Sequence, residues 1–131
     1  MKYIFDENIQ QKAEDIINTL FPHIKKERVK CYRSYGTSSR GTIARCHGMA
    51  KIVQKALGIE AFYVLEFLSE RFGRLDEEEK TKTIIHELMH IPKNFGGGFK
   101  HHDFVCEKNV NICYREYIRR KNESENRWKI F

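Results

Sequence analysis

Apolar positions recur with a helical period near the start of the chain. Ile9, Ala13, Ile16, Ile17 and Leu20 fall at i, i+4, i+7, i+8 and i+11, which predicts an amphipathic helix over about 7–21 that Pro22 ends. From Arg28 the period changes to two. Val29, Cys31 and Arg33 share one side of an extended segment, the Gly/Ser/Thr cluster at 36–42 breaks it, and a return through Ile43 to Cys46 makes a hairpin the expected outcome. Met49, Ile52, Val53, Ala56 and Leu57 restore the helical period over about 48–57, with Gly58 placed for a left-handed cap. Ala61 to Phe67, rich in aromatic and branched side chains, reads as a buried strand.

The best-marked helix spans about 76–91. Asp76 can accept from the third helical amide and Glu79 can reach back as a capping box. Three carboxylates, Glu77, Glu78 and Glu79, suit the positive end of a helix dipole, so this acidic run is assigned to capping rather than to catalysis. Pro92 removes a donor and pushes Ile91 out of helical geometry. After a glycine-rich loop at 94–98, Asp103 can cap a last helix over about 103–121, whose Cys106, Val110, Cys113 and Tyr117 share a face and which ends before the polar stretch Asn122 to Asn126. The class that follows is α+β: one domain over 1–131, with a small antiparallel or mixed sheet of about three strands and about four helices.

Composition narrows the class of protein. A chain of 131 residues with 40% apolar residues and two prolines is long enough to bury one core, roughly two-thirds of its unfolded surface. The longest apolar stretch, Ala61 to Leu68, is interrupted by Glu66 and is far short of the roughly 20 residues a bilayer needs. No membrane association is expected. The amino terminus has acids where a secretory signal needs an apolar run, which places the protein in the cytoplasm. Cys31, Cys46, Cys106 and Cys113 lack C-x-x-C spacing and read as reduced thiols. The net charge of +6 is uneven: residues 25–51 hold eight Lys/Arg against one acid, and residues 76–91 hold two against five. A basic strip over 25–51 can attract nucleic acid or acidic peptide, or can simply be a solvated surface.

The chemistry lies in the third long helix. His86-Glu87-Leu88-Met89-His90 is an H-E-x-x-H sequence, and at 100° per residue its histidines lie only about 40° apart on the helix. Ile84, Ile85, Leu88, Met89 and Ile91 cover the other arc, which leaves both imidazoles facing a cleft. Two imidazoles need a third donor to hold Zn²⁺ with one position open for water. The run Gly96-Gly97-Gly98 permits a reversal that returns His101-His102-Asp103, and one of these closes the site. His102 is favoured, with His101, Asp103 and Glu107 as alternatives that spacing alone does not separate. Glu87, rotated about 100° from His86, is placed to act as general base toward a metal-bound water, which predicts amide hydrolysis of a peptide or protein substrate. Tyr114, Tyr117 and whichever of His101 and His102 is unused are candidates for an oxyanion donor. Glu66 is read as outward and solvated rather than a cleft carboxylate. His23 and His47, without partners at ligand spacing, are read as surface or capping residues.

These residues also resemble a known family. Thr83 to Pro92, then Gly97-Gly98-Phe99-Lys100-His101-His102, is similar to the archaeal and phage family of predicted zinc metallopeptidases with an H-E-L-x-H-I-P signature. Ala44-Arg45 with Gly48, Ala56 to Ile59, Tyr63 to Glu66, and Arg71-Phe72 through Leu75 extend the likeness over roughly 28–120. The resemblance implies a minimal zincin, distantly SprT-like, with His86, His90 and His102 as zinc ligands and Glu87 as catalytic base. His101, immediately before the aligned ligand, departs from the pattern, and the C-x-x-C pairs of an appended zinc ribbon are absent. In zincins a sheet edge beside the active helix pairs with the substrate, a role open here to the 28–46 hairpin or strand 61–67. Two other functions fit the residues: a nucleic-acid-associated zinc module that processes DNA-bound proteins, and a zinc protein with a weak or degenerate site.

Overall fold

The computed structural model describes residues 1–130, and the chain opens with a strand its short apolar run did not announce, β1 (Lys2–Phe5). Asp6 then caps α1 (Glu7–Leu20), its Oδ1 accepting from the Ile9 N–H at 2.9 Å. Ile9, Ala13, Ile16 and Ile17 are buried, as the helical period requires. Gln10 is buried as well. Its amide nitrogen donates to Val29 O and its oxygen accepts from Cys31 N–H, both at 2.8 Å, so this side chain extends the backbone ladder past the end of β1.

Strands β2 (Val29–Tyr35), β3 (Ala44–His47) and β4 (Tyr63–Leu68) complete a four-stranded sheet in the order β1-β2-β4-β3. β4 runs parallel to β2 and antiparallel to β3, so 28–46 is not a hairpin. β4 inserts between the two segments expected to pair. Five of its six residues are buried, the pattern of a strand flanked on both edges. The segment 36–43 has length enough to cross the roughly 10 Å that two strand spacings require.

Val29, Cys31, Tyr63, Leu65 and Phe67 face one side of the sheet, where α1 packs with α4 (Glu77–Met89) and α5 (Glu107–Ile130). A single turn, α3 (Ser69–Phe72), follows β4 and sets Phe72 against Phe67 at 4.9 Å. α2 (Lys51–Leu57) ends on Gly58 at φ 67°, as its sequence predicts, yet it buries nothing: Ile52 is 76% exposed. A period specifies a face but supplies no partner for it.

α5 begins four residues later than expected. Phe104 and Val105 N–H both donate to His101 O, and Asp103 Oδ1 accepts from Phe104 N–H, so 101–105 form a turn and Asp103 caps no helix. The helix also continues through Asn122 to Asn126. Arg119 pairs with Glu116 and Glu123, and Arg120 with Glu116, at the i+3 and i+4 spacings that support a solvated helix without a buried face. No described helix is long and apolar enough to cross a membrane.

Candidate metal centre

Asp76 Oδ1 accepts from Glu79 N–H at 2.9 Å and starts α4 where the sequence predicts; the Glu79 carboxylate instead approaches Lys82 Nζ at 3.9 Å. Ile84, Ile85, Leu88 and Met89 are buried, which turns His86 and His90 toward a cleft, their ring centroids 5.1 Å apart. The chain then leaves the helix and returns. His90 O accepts from Lys100 N–H at 2.7 Å, and Lys100 O accepts from His90 Nδ1–H, also at 2.7 Å. This reciprocal pair clamps both ends of the loop and delivers His102 two residues later.

The His102 ring lies 4.9 Å from that of His90 and 5.8 Å from that of His86. One nitrogen from each of the three imidazoles falls within 4.8 Å of the others. The structure therefore brings His102, not His101, together with the two helical histidines. His101 lines the cleft outside that group, Asp103 is engaged by its own turn, and Glu107 opens α5 on the far wall.

The electrostatics suit a cation. A carbonyl only accepts, so His90 carries its proton on Nδ1 and leaves Nε2 free to donate a lone pair, the arrangement that outer-sphere hydrogen bonds impose on metal-binding histidines. Burial, with His90 and His102 nearby, lowers His86 to about 4; burial foremost also holds His90 below its ordinary value. Both rings are neutral at pH 7, as a ligand must be. With the His102 ring beside them, three imidazoles so disposed fit a zinc ion and leave room for a fourth ligand. Glu87 is 6% exposed, and burial pushes its carboxyl up to about 7. Its Oε2 lies 4.0 Å from His86 Nε2. A carboxyl that gains and loses its proton near neutrality beside three imidazoles is suited to general acid and base work.

Two lobes of about 560 and 360 Å³ flank His86, Glu87 and His102. One wall is β3, whose Ala44 and Cys46 face the cleft. As the last strand of the sheet, β3 is the edge beside α4; strand 61–67, the other expected edge, lies inside the sheet.

Several expectations are corrected. Tyr117 is buried and its hydroxyl donates to Asp15 of α1, while Tyr114 lies against Lys82; neither lines the cleft. Glu66 is not solvated: it is 3% exposed, on the sheet face away from the helices, with His47 Nε2 at 2.8 Å. His47 is thus partnered. His23 places its Nε2 in the interior without a hydrogen-bond partner.

What the sequence left out is the support of the loop carrying His102. Gly48 and Gly97 cross so closely that a Cβ on Gly48 would meet Gly97 O at 2.2 Å, and Gly97 sits at φ 100°. The Tyr63 hydroxyl accepts from Gly97 N–H at 2.8 Å and donates to Gly98 O at 2.7 Å. Gln54 donates to Met49 O and Gly96 O. In the sequence Tyr63 reads only as a strand residue, because its partners lie 34 and 35 positions away. Tyr63→Phe leaves a buried N–H and a carbonyl unpaired and is expected to cost on the order of 1–3 kcal/mol in urea denaturation. An unchanged midpoint would show that the loop is held by other contacts.

A family model described as "Putative phage metallopeptidase" matches residues 1–126. Comparison with curated proteins and with solved structures gave no match.

Proposed function

The chain belongs to the phage metallopeptidase family, and on that premise we propose that it is a zinc-dependent peptidase, with His86, His90 and His102 as ligands and Glu87 as general base. The gathering of three imidazoles, two of them held neutral by burial, beside a buried carboxyl carries this reading. Zinc bound there would polarise the scissile carbonyl and lower the pKa of a water at the open position to about 7.

The chain's own residues do the rest. Glu87, whose carboxyl is balanced near pH 7, takes a proton from the attacking water and passes it to the departing amine. Lys100 O holds the His90 ring in orientation. The position of β3 at the edge of the sheet supports strand-wise pairing with an extended peptide, whose scissile bond would then lie between β3 and α4. Peptide or protein is the substrate class.

Chelation is the direct test. A chelator is expected to abolish cleavage of a casein or mixed-peptide substrate, and about one equivalent of Zn²⁺ to restore it, with metal content read by elemental analysis. Stoichiometric zinc without cleavage of any peptide would instead support a zinc protein with a degenerate site.

A further inference from the structure

The sheet face turned away from α1, α4 and α5 takes no part in the reading above. Directly opposed residues share a face, and the register sets Tyr3 beside Ser34, Phe5 beside Tyr32, Tyr32 beside Glu66, and Glu66 beside Arg45. Lys30 and His47 both stand beside Val64 on the same face. Tyr3 is 59% exposed and Phe5 40%, with the Tyr32 ring edge-on to Phe5 at 5.7 Å. Tyr3, Tyr32, His47 and Val64 line a groove of about 410 Å³ floored by Glu66.

We propose that this face binds single-stranded nucleic acid, with bases stacked on Tyr3, Phe5 and Tyr32 and phosphates held by Lys30 and Arg45. Rings rather than aliphatic side chains form the exposed apolar part, and every base offers a π-face to stack on a ring. The charge is complementary. The face's one acid, Glu66, is 3% exposed beneath His47 at 2.8 Å, so burial keeps its carboxylate away from a phosphate at the surface, while Arg45 approaches it only to 3.8 Å. The basic strip read from the sequence is divided: Arg33 turns inward to Ser69, and Lys25 and Arg28 pair with Glu60, while Lys30 and Arg45 stay on this face. The net charge of +6 opposes a second copy of the chain as occupant. A flat sheet face has nothing to insert into a major groove, and a duplex already stacks its bases internally, which favours a single strand. The alternation along β3 joins the two functions. Ala44 and Cys46 face the cleft, His47 lines the groove, and Arg45, opposite Glu66 in the register, borders the cleft as well, so a bound strand would lie across one β-strand from the peptidase site.

Fluorescence anisotropy of the full chain with a labelled oligothymidylate of about 20 nucleotides, against a duplex of equal length, tests this without any hydrolytic step. Its outcome is therefore independent of the peptidase reading. We expect single-strand binding that weakens as salt rises from roughly 50 to 200 mM. Tyr3→Ala and Tyr32→Ala should each weaken it about 5- to 150-fold, Tyr32→Phe should retain it, and Lys30→Glu with Arg45→Glu should flatten the salt dependence. Circular dichroism checks that each variant folds. Absence of salt-dependent binding, affinity unmoved by both alanine variants, or preference for the duplex would overturn the proposal. So would alanine-sensitive binding to anionic phospholipid vesicles, or alanine-sensitive dimerisation in sedimentation, without oligonucleotide binding.

Discussion

Glu87→Gln is expected to lower peptide cleavage about 10²–10⁴-fold while zinc content stays unchanged. The amide fills the space of the carboxyl but cannot accept the proton, and it leaves His86, His90 and His102 as they are. Cleavage at the wild-type rate would remove Glu87 from the mechanism; loss of metal alongside activity would recast it as a structural support.

The same substitution has a second signature in the metal-free protein. The unfolded chain holds the Glu87 proton up to its ordinary value of 4.5, whereas burial holds it in the fold to about 7. Below 4.5 the carboxyl is protonated in both states and costs nothing extra. As pH rises toward 7 the unfolded chain releases the proton more readily, so stability falls, and above 7 the penalty is on the order of 3 kcal/mol. Glutamine never titrates. Urea denaturation of chelated protein should find Glu87→Gln near wild type at pH 4.5 and more stable by that amount at pH 8. A difference that does not vary with pH would mean that Glu87 titrates normally.

His102→Ala should weaken zinc binding on the order of 10²–10³-fold, whereas His101→Ala should change it little. Structural zinc sites gain roughly 10–16 kcal/mol, which shared among four ligands is about 2.5–4 kcal/mol for each. Only His102 among the paired histidines has its ring beside those of His86 and His90. Competition with a chromophoric chelator measures both variants; equal loss from the two would overturn the ligand set.

These residues also mark how far the chain can be read unaided. The cap at Asp76, the buried arc of Ile84, Ile85, Leu88 and Met89, and the adjacent faces of His86 and His90 are local consequences of a 3.6-residue period, and the fold reproduces them. The exposed α2 is the counter-example: its period produced a helix, but burial depends on what other segments place against it. The 28–46 hairpin failed for a related reason. Turn chemistry at 36–42 signals a break in the chain, not which strand will fill the space beside it. A carboxylate on a strand is usually solvated, and only the fold brings His47 and Arg45 from the neighbouring strand to Glu66.

Spacing along the chain by itself determined that one helix carries two imidazoles and a carboxylate on adjacent faces, since neighbours within a turn are fixed by backbone geometry. The sequence favours His102, but that its ring and not that of His101 stands beside His86 and His90, that β3 lies at the sheet edge, and that Tyr63 and Gln54 hold the glycine loop came from the tertiary structure. Those contacts join residues tens of positions apart, and where a loop returns depends on the hydrogen bonds that close it, here the pair between His90 and Lys100.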